Sequence, residues 1–299
     1  MSPLVLAMPG AEAQASRLAG ALGAEQALVA VRPFPDGESL VRLEADPAGR
    51  DVVLVAALRE PDPRFLPLAF AADAARELAA RRVVLVAPYL PYLRQDTRFR
   101  PGEAVSSRTF ARLLSGLVDG LVTVDPHLHR IPALEQVYAI PTRVVPAAPA
   151  LAAWLRAEVP QAALIGPDAE SEQWVAHVAR LAGAPWTVLE KTRTGDRAVA
   201  LRGLERLDGL AGRTPVLVDD IVSSAATLIE ACRALRAAGA PPPVCLAVHA
   251  LFAGDALAAL RAAGPARVVT TDTVPHETNG IELTAELARA AAELLVAPV

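Results

Sequence analysis

Short apolar runs alternate with longer segments of helical periodicity along the whole chain. The runs are rich in Val, Leu and Ala and end near Gly, Pro or Asp. Such runs predict strands that are buried on both faces, and their alternation with helices of about 10–15 residues predicts mainly parallel sheets. The predicted strands include Leu4–Met8, Arg82–Val86, Leu121–Val124, Ala162–Gly166 and Thr214–Val218.

Two halves of the chain repeat these patterns in the same order. Leu4–Met8 and Ala162–Gly166 are each followed by Pro, an Ala-Glu pair and a helical segment that ends in Leu-Ala-Gly-Ala. Further on, we match Arg82–Val86 with Thr214–Val218, and the segment 121–127 with 268–272. Matches in one order predict a duplicated α/β domain.

A Pro-rich segment from Val145 to Pro149 separates the two patterns. We therefore predict an N-terminal domain of residues 1–145 and a C-terminal domain of residues 146–299, with the last helix packing back on the first domain. Ligands of such sheets bind at the C-terminal ends of the strands, so motifs at those ends carry the most weight.

The segment from Val216 to Thr227 carries the strongest chemical pattern of the chain. Its apolar run ends in two adjacent carboxylates, Asp219 and Asp220, and a loop of small and hydroxyl residues then leads into a helical segment. Backbone N–H groups at a helix N-terminus bind phosphate, and paired carboxylates suit vicinal hydroxyls, so the pattern predicts a sugar phosphate site. The alternative is a buried strand whose Asp pair only caps the next helix. The loop residues are Ser223, Ser224, Ala225, Ala226 and Thr227.

Two further loops follow predicted strands of the first half. The loop Pro88–Arg100 combines several Arg residues with Gln95 and paired Tyr residues, which is typical of a surface that contacts polyphosphate or a nucleotide. A solvated loop is the alternative. The segment Asp125–His129 brings two imidazoles near a carboxylate, but it supplies no complete ligand set for zinc. For His129, a functional role and a solvated position both stay open.

Two single residues stand out by position or by rarity. Asp168 follows the strand Ala162–Gly166 and is a candidate magnesium ligand, with an ordinary helix N-cap as the alternative. Lys191 is the single Lys among 29 Lys and Arg residues. Because an ammonium and a guanidinium are not interchangeable where a transferring group moves, we predict a functional role for Lys191, with chance survival as the alternative.

Composition excludes several classes of function. A chain of 299 residues with 53% hydrophobic and 4% aromatic residues suits two helix-rich α/β domains. A net charge of −4 gives no electrostatic case for nucleic acid. The apolar runs are shorter than the roughly 20 residues of a membrane span, and no basic region precedes the first of them as in a signal peptide. Cys232 and Cys245 lie outside any metal or redox spacing, so we expect a reducing cytoplasm.

Taken together, these segments resemble the ribose-phosphate pyrophosphokinase family, also called phosphoribosyl pyrophosphate synthetases. The resemblance covers most of the chain, and the motifs keep the family's order. They include its nucleotide-recognition hairpin, its Tyr-rich ATP loop, its flexible catalytic loop and its ribose phosphate loop. The matching segments are Phe34–Glu38, Pro88–Asp96, Asp125–His127, Gly166–Asp168, Lys191–Arg193 and Val218–Thr227.

The resemblance implies two tandem phosphoribosyltransferase-like domains, with ATP on the first and ribose 5-phosphate on the second. It implies Mg²⁺-dependent transfer of diphosphate from ATP to the anomeric hydroxyl of ribose 5-phosphate, which gives 5-phosphoribosyl 1-diphosphate and AMP. Because the hairpin of this family reaches adenine across a subunit boundary, it also implies a homo-oligomer, a dimer or larger.

The resemblance also implies roles for particular residues. ATP would contact Phe34, Asp36, Glu38, Arg94, Gln95, Asp96 and His127. Magnesium would bind at His127 and Asp168, and Lys191 with Arg193 would act in catalysis. Ribose 5-phosphate would contact Asp219, Asp220, Ser223, Ser224, Ala225, Ala226 and Thr227.

The phosphate loop departs from the family pattern. The family commonly has Gly before the final Thr of this loop, where the chain has Ala226. An Ala fits at that position if the local backbone is right-handed, whereas Gly also allows a positive φ. Two alternatives stay open. One is a non-catalytic homologue that binds nucleotide or sugar phosphate, and the other is a phosphoribosyltransferase, which normally has a single domain of this kind.

Overall fold

The computed structural model describes residues 2–128, 130–194, 198–202 and 212–296. The chain divides into two compact units. Unit 1 is made of residues 1–146, 273–275 and 283–299, and unit 2 of residues 147–272 and 276–282. Each unit is built around its own sheet.

The described part of unit 1 contains a seven-stranded sheet in the order β3-β2-β1-β4-β5-β6-β7. The pair β2–β3 is antiparallel and the other neighbours are parallel. The central strands are buried along their whole length, as their apolar sequence predicts. The strands are β1 (Leu4–Ala7), β2 (Glu25–Pro33), β3 (Ser39–Leu43), β4 (Asp51–Val55), β5 (Arg82–Val86), β6 (Gly120–Val124) and β7 (Thr142–Val145).

The helices of unit 1 include the last helix of the chain, α8 (Thr284–Val296), which packs against α1 and against strands β5 to β7. A Cβ atom on Gly120 would lie 3.1 Å from Leu294, so the glycine allows this close approach. Arg143 adds an ion pair to Glu293 over 2.8 Å. The other helices are α1 (Glu12–Leu22), α2 (Asp62–Glu77), α3 (Ser106–Ser115) and a 3₁₀ turn (Leu134–Gln136).

The described part of unit 2 contains a six-stranded parallel sheet in the order β15-β14-β13-β12-β8-β9 and a separate antiparallel hairpin, β10–β11. The strands are β8 (Ala162–Gly166), β9 (Trp186–Val188), β10 (Glu190–Thr194), β11 (Ala198–Arg202), β12 (Thr214–Val222), β13 (Val244–Ala250), β14 (Arg267–Thr271) and β15 (Asn279–Ile281). The helices are α4 (Ala148–Glu158), α5 (Glu172–Ala182), α6 (Ala226–Ala237) and α7 (Ala256–Ala262), with a 3₁₀ turn (Ala169–Ser171).

The two sheets share one strand order. Apart from the additional edge strand β3, unit 1 runs β2-β1-β4-β5-β6-β7, and unit 2 runs β9-β8-β12-β13-β14-β15. The predicted fold class, duplicated α/β domains with mainly parallel sheets, is therefore confirmed. One predicted match is wrong: β12 takes the place of β4, whereas Arg82–Val86 corresponds to β13. Strands β4, β5 and β12 all have Val-rich sequences, so sequence similarity alone does not tell which of them correspond. The strand order in the sheets does. No helix within the described ranges is long and apolar enough to cross a membrane.

Candidate functional site

The strand order of unit 2 places a crevice at the carboxyl ends of β8 and β12. The chain leaves β8 towards β9 on one side, and β12 returns on the other side, so this is a topological switch point, the usual ligand position in such sheets. Strand β8 pairs with β12 from Thr214 to Leu217. The residues of β12 beyond Leu217 therefore extend past this pairing and border the crevice.

Asp219 and Asp220 lie in that extension and are both partly buried. Oδ1 of Asp219 accepts a hydrogen bond from the Asp220 N–H over 3.0 Å, and Oδ1 of Asp220 accepts one from the Ile221 N–H over 2.7 Å. Burial, and then the negative charges of Asp220 and Asp168, raise the pKa of Asp219 well above its usual value. The crevice therefore concentrates negative charge that a cation or hydroxyl donors would stabilise.

The phosphate loop, Ser223–Thr227, follows directly and turns into α6. Ala225 is the N-cap and has a left-handed backbone, with φ 58° and ψ 8°. Ala226 is the first residue of α6 and is not among the residues with positive φ. The right-handed backbone that an Ala requires at position 226 is thus present, and the strained position is Ala225. The turn exposes backbone N–H groups at a helix N-terminus, where phosphate binds.

Asp168 caps the 3₁₀ turn after β8. Its Oδ1 accepts a hydrogen bond from the Ser171 N–H over 3.2 Å, while the Ser171 hydroxyl donates to the Asp168 carbonyl over 2.6 Å. A Cβ atom on Gly166 would lie 2.4 Å from the Ser171 Oγ and 2.7 Å from Val188, so this turn requires glycine at the strand end. Asp168 is an N-cap whose charge also acts on Asp219.

The carboxylates of this crevice fit a magnesium ion that is shared with a phosphate ligand. Among the described residues, no group of three or more His, Cys, Asp or Glu side chains could hold a metal by itself. Mg²⁺ usually binds one or two carboxylates, keeps water molecules and takes phosphate oxygens from a substrate. Asp168 and the Asp219–Asp220 pair supply such a partial donor set, and the electrostatic effect of Asp168 and Asp220 on the pKa of Asp219 is consistent with the three carboxylates lying near one another.

Lys191 and Arg193 lie in β10 of the antiparallel hairpin. Lys191 is opposite Leu201, and Arg193 is opposite Val199. The structure describes the backbone at both positions, and their side chains are outside the description. His129 is also outside the described residues.

In unit 1, the loop after β5 carries the predicted nucleotide residues. Arg94 is exposed, and the Gln95 side chain accepts a hydrogen bond from the Ser106 hydroxyl over 3.0 Å at the start of α3. The Asp96 carboxylate is almost completely buried and accepts two hydrogen bonds from Arg130. One comes from the Arg130 backbone N–H over 3.1 Å and the other from the Arg130 Nη1 over 3.0 Å. Asp96 therefore connects this loop to the loop after β6.

Arg130 is a residue that sequence reasoning missed. Its guanidinium is held by Asp96 and lies 5.6 Å from the ring centroid of Phe99, yet its side chain is 60% exposed. A fixed and exposed guanidinium is suited to bind phosphate oxygens. The sequence signal was weak, because Arg130 stands just outside the segment Asp125–His129 and its partner Asp96 is 34 residues away in the sequence.

His127 follows β6 through a strained turn. The strand ends at Val124, and Asp125 has a positive φ of 30°, which is uncommon for a residue other than glycine. The His127 side chain is partly buried. Strain of this kind is often found where backbone geometry positions a ligand-binding group.

The predicted nucleotide-recognition hairpin is the turn between β2 and β3. The Phe34 N–H donates to the Glu38 carbonyl over 2.7 Å, and the Glu38 N–H donates to the Asp36 carboxylate over 3.2 Å. Asp36 thus shapes the turn. Phe34 is 40% exposed, and the Arg32 guanidinium lies 5.5 Å from its ring centroid. An exposed aromatic ring on a hairpin tip can stack on a base or bind a second protein surface.

Comparisons with known proteins agree with this arrangement. A model of the N-terminal domain of ribose phosphate pyrophosphokinase matches residues 4–117, and a phosphoribosyl transferase domain model matches residues 134–286. A ribose-phosphate pyrophosphokinase of Methanopyrus kandleri is 38% identical over 93% of this chain and 94% of its own length. A protein of the same name from Sulfolobus acidocaldarius is 31% identical over 84% of this chain and 86% of its own.

The fold is also that of a solved structure. The crystal structure of phosphoribosylpyrophosphate synthetase from Mycobacterium smegmatis matches with a TM-score of 0.83 over 97% of this chain and 99% of that chain. At 24% sequence identity, this match supports the fold alone.

Proposed function

Because this chain belongs to the ribose-phosphate pyrophosphokinase family, we propose that it transfers diphosphate from ATP to the anomeric hydroxyl of ribose 5-phosphate. The anomeric oxygen attacks the β-phosphorus, and the bond from that phosphorus to the oxygen bridging the α-phosphate breaks. The hydroxyl proton leaves, AMP departs, and 5-phosphoribosyl 1-diphosphate forms. Such transfers depend on positioning and on charge stabilisation.

The observation that carries the proposal is the combination of an acidic strand end and a phosphate loop in one crevice. Asp219 and Asp220 suit the ribose hydroxyls, and the loop Ser223–Thr227 before α6 suits the 5-phosphate. A ligand that carries both groups is a sugar phosphate. The right-handed backbone of Ala226, which accommodates an Ala side chain, supports an active phosphate loop at this position.

ATP binds, on this proposal, to unit 1. Arg94 and Arg130 would pair with its phosphates, with Asp96 holding Arg130 in place. His127 of unit 1 and Asp168 of unit 2 are each candidate magnesium ligands, and magnesium would neutralise charge that develops on the transferring phosphates. Lys191 and Arg193 would stabilise the same charge during transfer.

The proposal includes a homo-oligomer in which Phe34 contacts the adenine bound to another subunit. The exposure of this ring and of Leu28 and Leu40 on the same hairpin supports a surface that is covered in the assembly. A strictly monomeric protein with full activity in analytical ultracentrifugation would contradict this part of the proposal.

The test is to incubate the purified protein with ATP, Mg²⁺ and ribose 5-phosphate and to record phosphorus NMR spectra. We expect AMP and a phosphoribosyl diphosphate signal in equal amounts. If the ATP in the mixture stays intact although the protein binds it, the protein is instead a regulatory homologue. A signal from free inorganic diphosphate without the ribosyl product would indicate hydrolysis and would also contradict the proposal.

A further inference from the structure

The loop after β13 donates backbone hydrogen bonds to the start of the phosphate loop. The N–H groups of Leu251 and Phe252 both donate to the Val222 carbonyl, over 3.0 and 2.9 Å, and the Ala253 N–H donates to the Ser223 carbonyl over 3.0 Å. Three successive donors therefore fix two successive carbonyls at the start of the phosphate loop.

Fixing these carbonyls also fixes the N–H groups that share their peptide planes. Neither peptide is cis, so the N–H groups of Ser223 and Ser224 point away from the carbonyls of Val222 and Ser223. No described residue accepts a hydrogen bond from either N–H. Two unpaired donors are thus aimed away from the supporting loop, which suits a phosphate ligand.

The supporting loop contains a strained residue. Phe252 has a positive φ of 31°, a rare conformation for a bulky side chain, and it is 3% exposed. Its ring stacks on His276, with 4.7 Å between centroids and 24° between planes. A conformation of this kind persists only where its surroundings hold it, and the stack supplies such a contact.

His276 is itself fixed by a hydrogen-bonded network from the edge of the sheet. Its Nδ1 accepts from the Thr278 N–H over 3.3 Å and lies 2.8 Å from the Thr278 hydroxyl. The Thr278 hydroxyl lies 2.8 Å from that of Thr270 in β14, and the His276 N–H donates to the Asn279 side chain over 2.9 Å. The ring therefore has a defined position before any ligand binds.

We propose that His276 and Phe252 are positioning residues for the 5-phosphate of ribose 5-phosphate. The His276 ring holds Phe252, and the loop of Phe252 holds the carbonyls of Val222 and Ser223, so that the N–H groups of Ser223 and Ser224 face the phosphate. This inference rests on the proposed function, since it assumes that the phosphate loop binds the sugar phosphate. Neither side chain needs to touch the substrate.

The experiment compares His276→Ala with His276→Phe, which keeps a ring for the stack. The control is His177→Ala, which removes an exposed His from α5 of the same unit. We expect His276→Ala to raise the KM for ribose 5-phosphate about tenfold, which corresponds to about 1.4 kcal/mol of lost binding free energy, with kcat and the KM for ATP nearly unchanged. His276→Phe should recover most of the affinity, and His177→Ala should match the wild type.

Direct calorimetric titration with ribose 5-phosphate separates this inference from the proposed function. If the wild type binds the sugar but forms no product, the proposed function fails, and the Kd values of the variants still decide the inference. Unchanged affinity in His276→Ala, or an equal loss in His177→Ala, overturns the inference. A His276→Ala protein that loses ATP affinity to the same extent also overturns it, because general unfolding then explains the effect.

Discussion

The two units have a topological switch point at the same place in the strand order, but the side chains at the strand ends differ. In unit 2, the ends of β8 and β12 carry Asp168, Asp219 and Asp220 beside a loop of hydroxyl residues. In unit 1, the corresponding ends of β1 and β4 border a cavity of about 210 Å³ lined by apolar side chains. These include Met8, Val31, Leu58, Pro67 and Leu68.

One cationic side chain, that of Arg64, lines this apolar cavity. Arg64 donates to the Pro9 carbonyl over 3.2 Å, and has a buried Nε without a partner among the described residues. Strand order thus fixes where a crevice forms, and the residues at the strand ends decide its chemistry. We therefore expect one ribose 5-phosphate per chain, bound in unit 2.

The largest effect should come from the hairpin β10–β11, which is separate from both main sheets. We expect Lys191→Ala to lower kcat by roughly 10³, the lower end of what a charge-stabilising residue contributes to phosphoryl transfer, with the Kd for ATP nearly unchanged. Lys191→Arg should restore little, because a guanidinium differs in shape and hydration. Near-normal turnover in Lys191→Ala would remove this residue from the mechanism.

One substitution in each unit tests whether ribose 5-phosphate binds only in unit 2. Asp220→Asn should raise the KM for ribose 5-phosphate roughly 10- to 100-fold, since hydrogen bonds to a charged carboxylate contribute about 1.5–3 kcal/mol. Arg64→Gln in unit 1 is the matched control and should leave that KM unchanged. A sugar phosphate titration with two sites per chain would contradict the assignment of one binding crevice.

Glycine at the strand end should matter in unit 2. Strand β8 ends in Gly166, whereas its counterpart in unit 1, β1, ends in Ala7. A Gly166→Ala substitution would place a Cβ atom against Ser171 and Val188. We expect a loss of about 1–3 kcal/mol in the free energy of unfolding, the usual cost of overpacking, measured in urea. Gly116→Ala is the control, because its Cβ would meet nothing closer than 3.5 Å. Equal stability of the two variants would show that the turn after β8 tolerates a side chain.

The smallest effect concerns charge in the acidic crevice. The raised pKa of Asp219 means that its contribution to stability is present below the unfolded pKa of about 3.9 and is lost as the pH rises through the folded value. At pH 8, without ligand or metal, Asp219→Asn should therefore raise Tm by a few degrees, since about 1 kcal/mol shifts Tm by roughly 2–4 °C at this size. The gain should shrink towards pH 4. A lower Tm at pH 8 would contradict the prediction.

Local sequence patterns were sufficient for most elements and for the acidic strand end. The apolar run before Asp219 predicts a buried strand, and small residues before a helical period predict the start of α6, because both depend on neighbouring residues. The duplication also follows from local repeats. The wrong match of Arg82–Val86 shows the limit, since Val-rich strands resemble one another whatever their place in a sheet.

The amino-acid sequence by itself determined the fold class, the duplicated plan and the family, since periodicity and motif order are properties of the chain. The tertiary structure decided which distant residues meet. It brings Arg130 to Asp96, places the Cys232 and Cys245 sulfur atoms 3.7 Å apart although their spacing matches no metal or redox motif, and sets Phe252 between His276 and the phosphate loop. These contacts join separate loops and strands, and loop packing depends on the whole sheet, so no local pattern encodes them.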